Sequence, residues 1–277
     1  MFDSILTTSK KEDNLNEEAA PIFITGSVRS GTSIICHALL RGIKLPGYVE
    51  GCFIQHLGIF LRAFDIDMVR RKDQLFNDAI MASHVDRDEF TKSLCNWFKG
   101  EYEKWNIYPQ KRWVDKTADV GLVYAMPQIM NLWPKAKCIF MKRRPIENIL
   151  SRQKKFAAAP FYVHIRQWCG VMEAWDERKK MMNKDSYIEI DQYEIATNPT
   201  AVAERVQLFL DLSEDEKEKI EKYFKKNRPE FTGGDENVVK SLEEIDWSDE
   251  DKELFMERCV PIMKVHGWSL GKEYYSK

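Results

Sequence analysis

The stretch PIFITGSVRSGTS, Pro21 to Ser33, decides how this chain must be read. Its first five residues, Pro21 to Thr25, form a short run rich in β-branched and aromatic side chains, the composition of a buried strand. A turn punctuated by Gly26 and Gly31 follows, and a helical pattern runs from Thr32 to about Arg41. Strand, G-x4-G loop and helix in that order aim backbone N–H groups and the positive end of a helix at a phosphate. In a loop built for a triphosphate, the residue after the second glycine is a lysine that reaches the β- and γ-phosphates. Here that place belongs to Thr32, which speaks against a triphosphate and against Mg²⁺-dependent transfer. Arg29 supplies the cation instead, and Ser30, Gly31, Thr32 and Ser33 supply neutral donors.

Beyond this unit, apolar residues from Phe53 to Lys104 recur at helical spacing among many charges, which predicts a helical insertion beside a sheet. A strand at Arg112 to Asp115, a helix from about Val120 to Leu132 and a strand at Lys137 to Met141 restore an α/β rhythm. Pro145 suits the first turn of the next helix, where its missing N–H is not needed, and that helix runs to about Phe156. A long helix over Tyr162 to Met182, a last strand at Tyr187 to Ile190, and helices near Thr200 to Leu210, Glu214 to Lys226 and Ser248 to His266 follow. Strands alternating with helices predict parallel pairing. The expected fold class is α/β, a P-loop-type three-layer arrangement with a central parallel sheet and a helical insertion at about residues 53–104. It occupies one domain over residues 20–277, after a flexible polar tail at 1–19, and carries a mobile loop around Gly233-Gly234.

With 277 residues, 44% hydrophobic and 31% charged, the chain can bury a sizeable core. A net charge of −2 gives no global attraction to nucleic acid or to an anionic membrane, so neither is expected as a partner and any anion site must be local. Six cysteines, Cys36, Cys52, Cys95, Cys138, Cys169 and Cys259, form no CxxC pair and read as free buried thiols. Signal-peptide and membrane-span patterns are absent, which makes the expected location cytoplasmic. His37, His84, His164 and His266 read as packing or capping residues, and no His, Cys and carboxylate cluster has metal spacing, so no metal is expected. Trp168, Met172 and Trp175 read as core, while Phe53, Phe60 and Phe64 either pack or line an acceptor pocket.

A second anion site comes from KCIFMKRRPIENILS, Lys137 to Ser151. A strand delivers Arg143 and Arg144 to a helix start, and Ser151 follows Arg143 by two helical turns. An arginine fork presents fixed donors to phosphate oxygens. Two separated anion sites suit a ligand with a phosphate at each end.

These two motifs together resemble the sulfotransferases that use 3′-phosphoadenosine 5′-phosphosulfate. The likeness runs over about Pro21 to Trp268 and is nearest to the tyrosylprotein-like branch with its bacterial small-molecule enzymes. The family's loop is usually P-R-S-G-T-[ST], so Val28 stands where the proline would be. The resemblance implies in-line transfer without metal, with 3′-phosphoadenosine 5′-phosphate as the second product. It also implies that Ser30, Gly31, Thr32 and Ser33 hold the 5′-phosphate, that Arg29 faces the sulfonate as well, and that Arg143 and Ser151 hold the 3′-phosphate. Glu50, twenty-one residues after Arg29, matches the glutamate base of the tyrosylprotein enzymes, and His56 is the reserve base. Many small-molecule members carry a histidine after a Lys-Thr pair, but here Lys116-Thr117 is followed by Ala118, which takes no proton. Lys116 matches the strand-end lysine that reaches the bridging oxygen, and Lys240 the lysine that closes over the donor.

The acceptor implied is a small molecule bearing a hydroxyl or amine, sulfated in the course of natural-product tailoring. Asp65 and Asp67 would suit a cation such as a saxitoxin-type alkaloid. Protein tyrosine is the weaker acceptor, because no membrane anchor is visible. The oligomeric state stays open, with a homodimer allowed. Two other classes remain: a P-loop kinase in which Asp115 or Asp191 imitates the Mg²⁺-binding aspartate, and a non-catalytic nucleotide-binding module.

Overall fold

The computed structural model describes residues 18–71, 79–108, 111–226 and 239–276. Most of the expected polar tail, and the Gly233-Gly234 loop, lie outside the described residues. Five strands, β1 (Ile22–Gly26), β2 (Gly47–Tyr48), β3 (Val114–Lys116), β4 (Lys137–Lys142) and β5 (Tyr187–Asp191), make one sheet in the order β2-β3-β1-β4-β5. Every pairing is parallel. The register sets Ile24 beside Lys116 and Ile139, and Gly26 beside Met141. All five strands therefore end on one edge, the edge at which open α/β sheets take ligands.

Side-chain alternation along the strands builds a core on each face. Phe23, Cys138 and Phe140 point to one, where α4 (Val120–Leu132), α6 (Phe161–Arg178) and α10 (Asp249–His266) cover them. There Phe140 stacks on Trp175 with ring centroids 4.1 Å apart, and full burial of such a side chain contributes about 2–3 kcal/mol. Ile22, Ile24, Ile139, Met141 and Ile190 point the other way, under α1 (Thr32–His37), α8 (Pro199–Leu210) and α9 (Glu214–Lys226). Helices over both faces of a parallel sheet are the three layers expected.

The insertion is a pair of helices, α2 (Gln55–Arg70) and α3 (Arg87–Trp105), on the first of these faces. Its aromatics pack on one another: Phe53 and Phe60 each lie 5.9 Å from Phe98, and Phe64 lies 4.6 Å from Phe90. Asp65 pairs with Arg87 and Asp67 with Arg71, so neither stands as an open carboxylate for a cationic acceptor.

Several local expectations are corrected. The first helix ends at His37 and continues as a π-turn, Ala38–Gly42. The long helix α6 ends at Arg178 and gives way to a 3-10 turn, Lys179–Met181. The short strand β2 exists through pairing with β3, Val114 N donating to Pro46 O at 2.9 Å, rather than through any apolar run of its own. Of the six cysteines, all free, five are buried and Cys52 is exposed. No helix among the described residues is long and apolar enough to cross a membrane.

Candidate active site

The glycine loop leaves β1 at Gly26, whose φ of 147° and whose neighbour Met141 O, 2.2 Å from where a Cβ would stand, admit only glycine. Gly31 closes the loop at φ 86° and caps α1. No side chain caps that helix. Between the glycines, Arg29 holds φ 73°, a left-handed conformation that costs a non-glycine residue about 1 kcal/mol. The turn carries its side chain across to α5 (Pro145–Lys155), where Arg29 Nε donates to Ser151 Oγ at 3.0 Å.

One polar stripe of α5, with Arg143 just before the helix, meets the loop. Arg143 Nη1 donates to Arg29 O at 3.1 Å, and Asn148 Nδ2 donates to Val28 O at 3.1 Å and Ser30 Oγ at 3.0 Å. Arg152 reaches Val28 O at 3.5 Å with one nitrogen and Gln167 with another. Arg143 and Arg152 are buried, 6% and 3% exposed, and neither has a carboxylate partner among the described residues. Burial pulls the Arg152 pKa down to about 10. The Nε of each is buried without a hydrogen-bond partner. Such groups mark a place for an anion or ordered water.

Glu50 and Lys116 form the other wall. Lys116, at the end of β3, is buried, and its Nζ pairs with Glu50 Oε1, whose side chain is half exposed. The Glu50 turn is stitched to the strand end by Gly51 N donating to Lys116 O at 3.0 Å and Cys52 N donating to Thr117 Oγ1 at 3.1 Å. Thr117 in turn donates to Asp115, fully buried, which also accepts from Tyr102 Oη of α3 at 2.7 Å. Burial raises the Asp115 pKa to about 6, against the pull of those two hydrogen bonds.

The remaining predicted residues stand apart. His56 is exposed on the first turn of α2, in the run that follows the Glu50 turn. Lys240 is exposed, and its backbone is held to α5: Lys240 O accepts from Arg144 Nη2 at 2.6 Å. Both aspartates that could imitate a Mg²⁺ ligand are otherwise engaged. Asp191 caps α7 (Gln192–Thr197), a helix announced only by the D-x-x-E spacing to Glu194, and accepts from Trp268 Nε1 and Tyr274 Oη. Among the described residues no group of three His, Cys, Asp or Glu could hold a metal.

Sequence reasoning missed Asn148 and Arg152. Their signal was present: Asn148, Ser151 and Arg152 recur at 3 and 1, a polar stripe on one helix face, while Ile146 and Ile149 enter the core.

A family model described as "Sulfotransferase family" matches residues 21–216. Among solved structures, the sulfotransferase domain of the Synechococcus PCC 7002 olefin synthase is 17% identical, with 94% of this chain and 100% of that one covered and a TM-score of 0.53. Sulfotransferase STF9 from Mycobacterium avium is 14% identical over 94% of this chain and 79% of its own, with a TM-score of 0.50. No curated protein matches the chain in sequence.

Proposed function

The chain belongs to the sulfotransferase family, and from that premise we propose that it moves a sulfuryl group from 3′-phosphoadenosine 5′-phosphosulfate to a hydroxyl or amine of a small-molecule acceptor. The observation that carries the donor assignment is the junction of the loop with α5. Ser151 and Arg143 each lie one hydrogen bond from Arg29, through its side chain and its carbonyl respectively, with the buried Arg143 Nε still open. Donors so close to one another suit two phosphates on one nucleotide. Ser30 to Ser33 serve the 5′-phosphate, and Arg143 and Ser151 the 3′-phosphate. Lys240, exposed on a backbone anchored to Arg144, is assigned to cover the donor.

In the transfer, the acceptor oxygen or nitrogen forms a bond to sulfur as the bond between sulfur and the 5′-phosphate oxygen breaks. The acceptor proton passes to Glu50, and the electron pair of the broken bond leaves on the phosphate. Arg29 and Lys116 meet the charge that develops there. A lysine has three donors, so Lys116 can hold Glu50 and still serve the bridging oxygen. Glu50 is the base rather than His56 because the Lys116 contact and the Gly51 and Cys52 bonds fix it at the strand ends. The helical insertion frames the acceptor. Six free cysteines suit a reducing, cytoplasmic setting.

Titration calorimetry in EDTA should show binding of 3′-phosphoadenosine 5′-phosphate, and mass spectrometry of an incubated metabolite extract should show acceptors gaining SO₃. Glu50→Gln should keep the nucleotide affinity and lose turnover at least about 100-fold, while His56→Ala keeps both. Binding that requires Mg²⁺ and ATP would sink the donor assignment. Turnover unchanged in Glu50→Gln would move the base elsewhere.

A further inference from the structure

We propose that the hollow between α2, α3, α4 and the end of α6 is a second binding site, shaped for a small amphipathic carboxylate that carries a hydrogen-bond donor at its far end. The hollow has a volume of about 230 Å³ and includes no residue of the phosphate loop, of α5 or of the Glu50–Lys116 pair. It lies around the last turn of α6, which precedes the start of β5, whereas the candidate active site occupies the edge where the strands finish.

Four of its features specify the ligand. Leu61, Tyr124 and Met181 give it an apolar wall, suited to an aromatic or branched hydrocarbon body. Two guanidiniums crowd one ring there, with Arg62 4.7 Å and Arg178 5.0 Å from the Tyr124 centroid. Each guanidinium keeps N–H donors beyond its cation–π contact, and an anion at this wall would accept charge-assisted hydrogen bonds from them. Arg178 Nε is buried and has no hydrogen-bond partner, a donor aimed at nothing the protein supplies. Gln128 Oε1 is likewise buried and without a partner, an acceptor that a ligand hydroxyl or amine would satisfy. An orphaned donor and an orphaned acceptor in one hollow call for a ligand with both functions.

The charge of the lining restricts the anion further. Arg87 is matched by Asp65, while Asp88 opposes Arg62 and Arg178. Glu177 also stands 3.6 Å from Arg178. Arg62, Arg87 and Arg178 are balanced by Asp65, Asp88 and Glu177, and a lining without net positive charge admits a monoanion more readily than a phosphate dianion. The volume accepts about ten heavy atoms with room for a water.

The probe is 4-hydroxybenzoate, with benzoate and inorganic phosphate as comparisons, titrated by calorimetry into the full chain. We expect one site for 4-hydroxybenzoate, with affinity reduced at least about tenfold in Arg62→Gln and in Arg178→Gln. Gln128→Leu should erase the preference for 4-hydroxybenzoate over benzoate. Arg62 is exposed, so Arg62→Gln decides the matter if Arg178→Gln does not fold. Binding of 3′-phosphoadenosine 5′-phosphate should be unchanged in all three, and Lys116→Ala should still take up the probe. The proposal is overturned if millimolar 4-hydroxybenzoate gives no heat, if both arginine variants bind it as the parent does, if phosphate binds more tightly, or if Lys116→Ala abolishes uptake.

Discussion

Arg143 and Arg144 are neighbours in the chain, and both are buried, but they belong to regions with opposite logic. Arg144, on the side of α5 facing the C-terminal segment, has its guanidinium answered throughout. Glu147 pairs with it, and the carbonyls of Ser269, Gly271 and Lys240 accept from it at 2.9, 2.8 and 2.6 Å. Its own N–H donates to Tyr274 Oη, which donates on to Asp191. Arg143, on the side facing the phosphate loop, has one carbonyl, no carboxylate among the described residues and an open Nε. A buried charge with every partner present ties a structure together, whereas one left open is tolerated where a ligand completes it. The difference separates the latch of the fold from its binding edge more sharply than burial does.

The most severe way to test that contrast is to remove the latch. Arg144→Met strands Glu147 and three carbonyl acceptors, and breaking a buried pair of this kind costs about 3–5 kcal/mol. Urea denaturation should show the midpoint fall with its slope unchanged. Arg143→Met, which removes a charge that lacks an internal partner, should lose far less stability. Equal losses in the two variants would break the comparison.

Asp115 occupies a middle position, a buried carboxylate with two hydrogen bonds and no ion-pair partner among the described residues, and it should show in the pH dependence of stability. Burial lifts its pKa from the ordinary 3.8 to about 6 in the folded state. The folded chain thus holds this proton more tightly than the unfolded one. The stability it contributes is full below about pH 4 and is lost as pH rises through 6, roughly 3 kcal/mol for a shift of about two units. Asp115→Asn keeps an acceptor for Tyr102 and carries no charge. The difference between parent and variant should therefore change between pH 4 and 7, and a difference constant over that range would contradict the raised pKa.

A smaller effect falls on the nucleotide. Arg143→Met should weaken binding of 3′-phosphoadenosine 5′-phosphate by about 10- to 100-fold, the worth of a charged hydrogen bond of about 1.5–3 kcal/mol. Calorimetry would measure it, and a loss under threefold would remove Arg143 from the donor site.

The contrast also explains what the sequence disclosed. The loop from Gly26 to Ser33 and the Arg143-to-Ser151 spacing were legible because each motif is local, a strand, a turn and a helix start in unbroken order. The five parallel strands were legible except β2, whose two residues have no pattern and are held by pairing with β3. Which of two adjacent arginines faces the glycine loop is legible only in part, through the spacing of Arg143 to Ser151. That Arg144 is a latch depends on Ser269, Gly271 and Tyr274, more than 120 residues away. The Glu50–Lys116 contact was similarly out of sight, since 66 residues separate two groups that the β2-β3 pairing makes neighbours.

Ser151 gives the finest test, because it stands where loop and helix meet. Its hydroxyl accepts from Arg29 Nε at 3.0 Å, and in the proposed reading it also donates to the 3′-phosphate. Ser151→Ala removes one neutral hydroxyl from a helix position that alanine fits without strain, so thermal stability should stay within about 0.5 kcal/mol of the parent. Nucleotide affinity should fall about fivefold, close to 1 kcal/mol for a single hydrogen bond. Pairing it with Arg143→Met in a double-mutant cycle then asks whether the two groups serve one phosphate. Groups on a shared phosphate should couple by more than about 0.5 kcal/mol, whereas strict additivity would place them on different oxyanions and divide the second cradle in two.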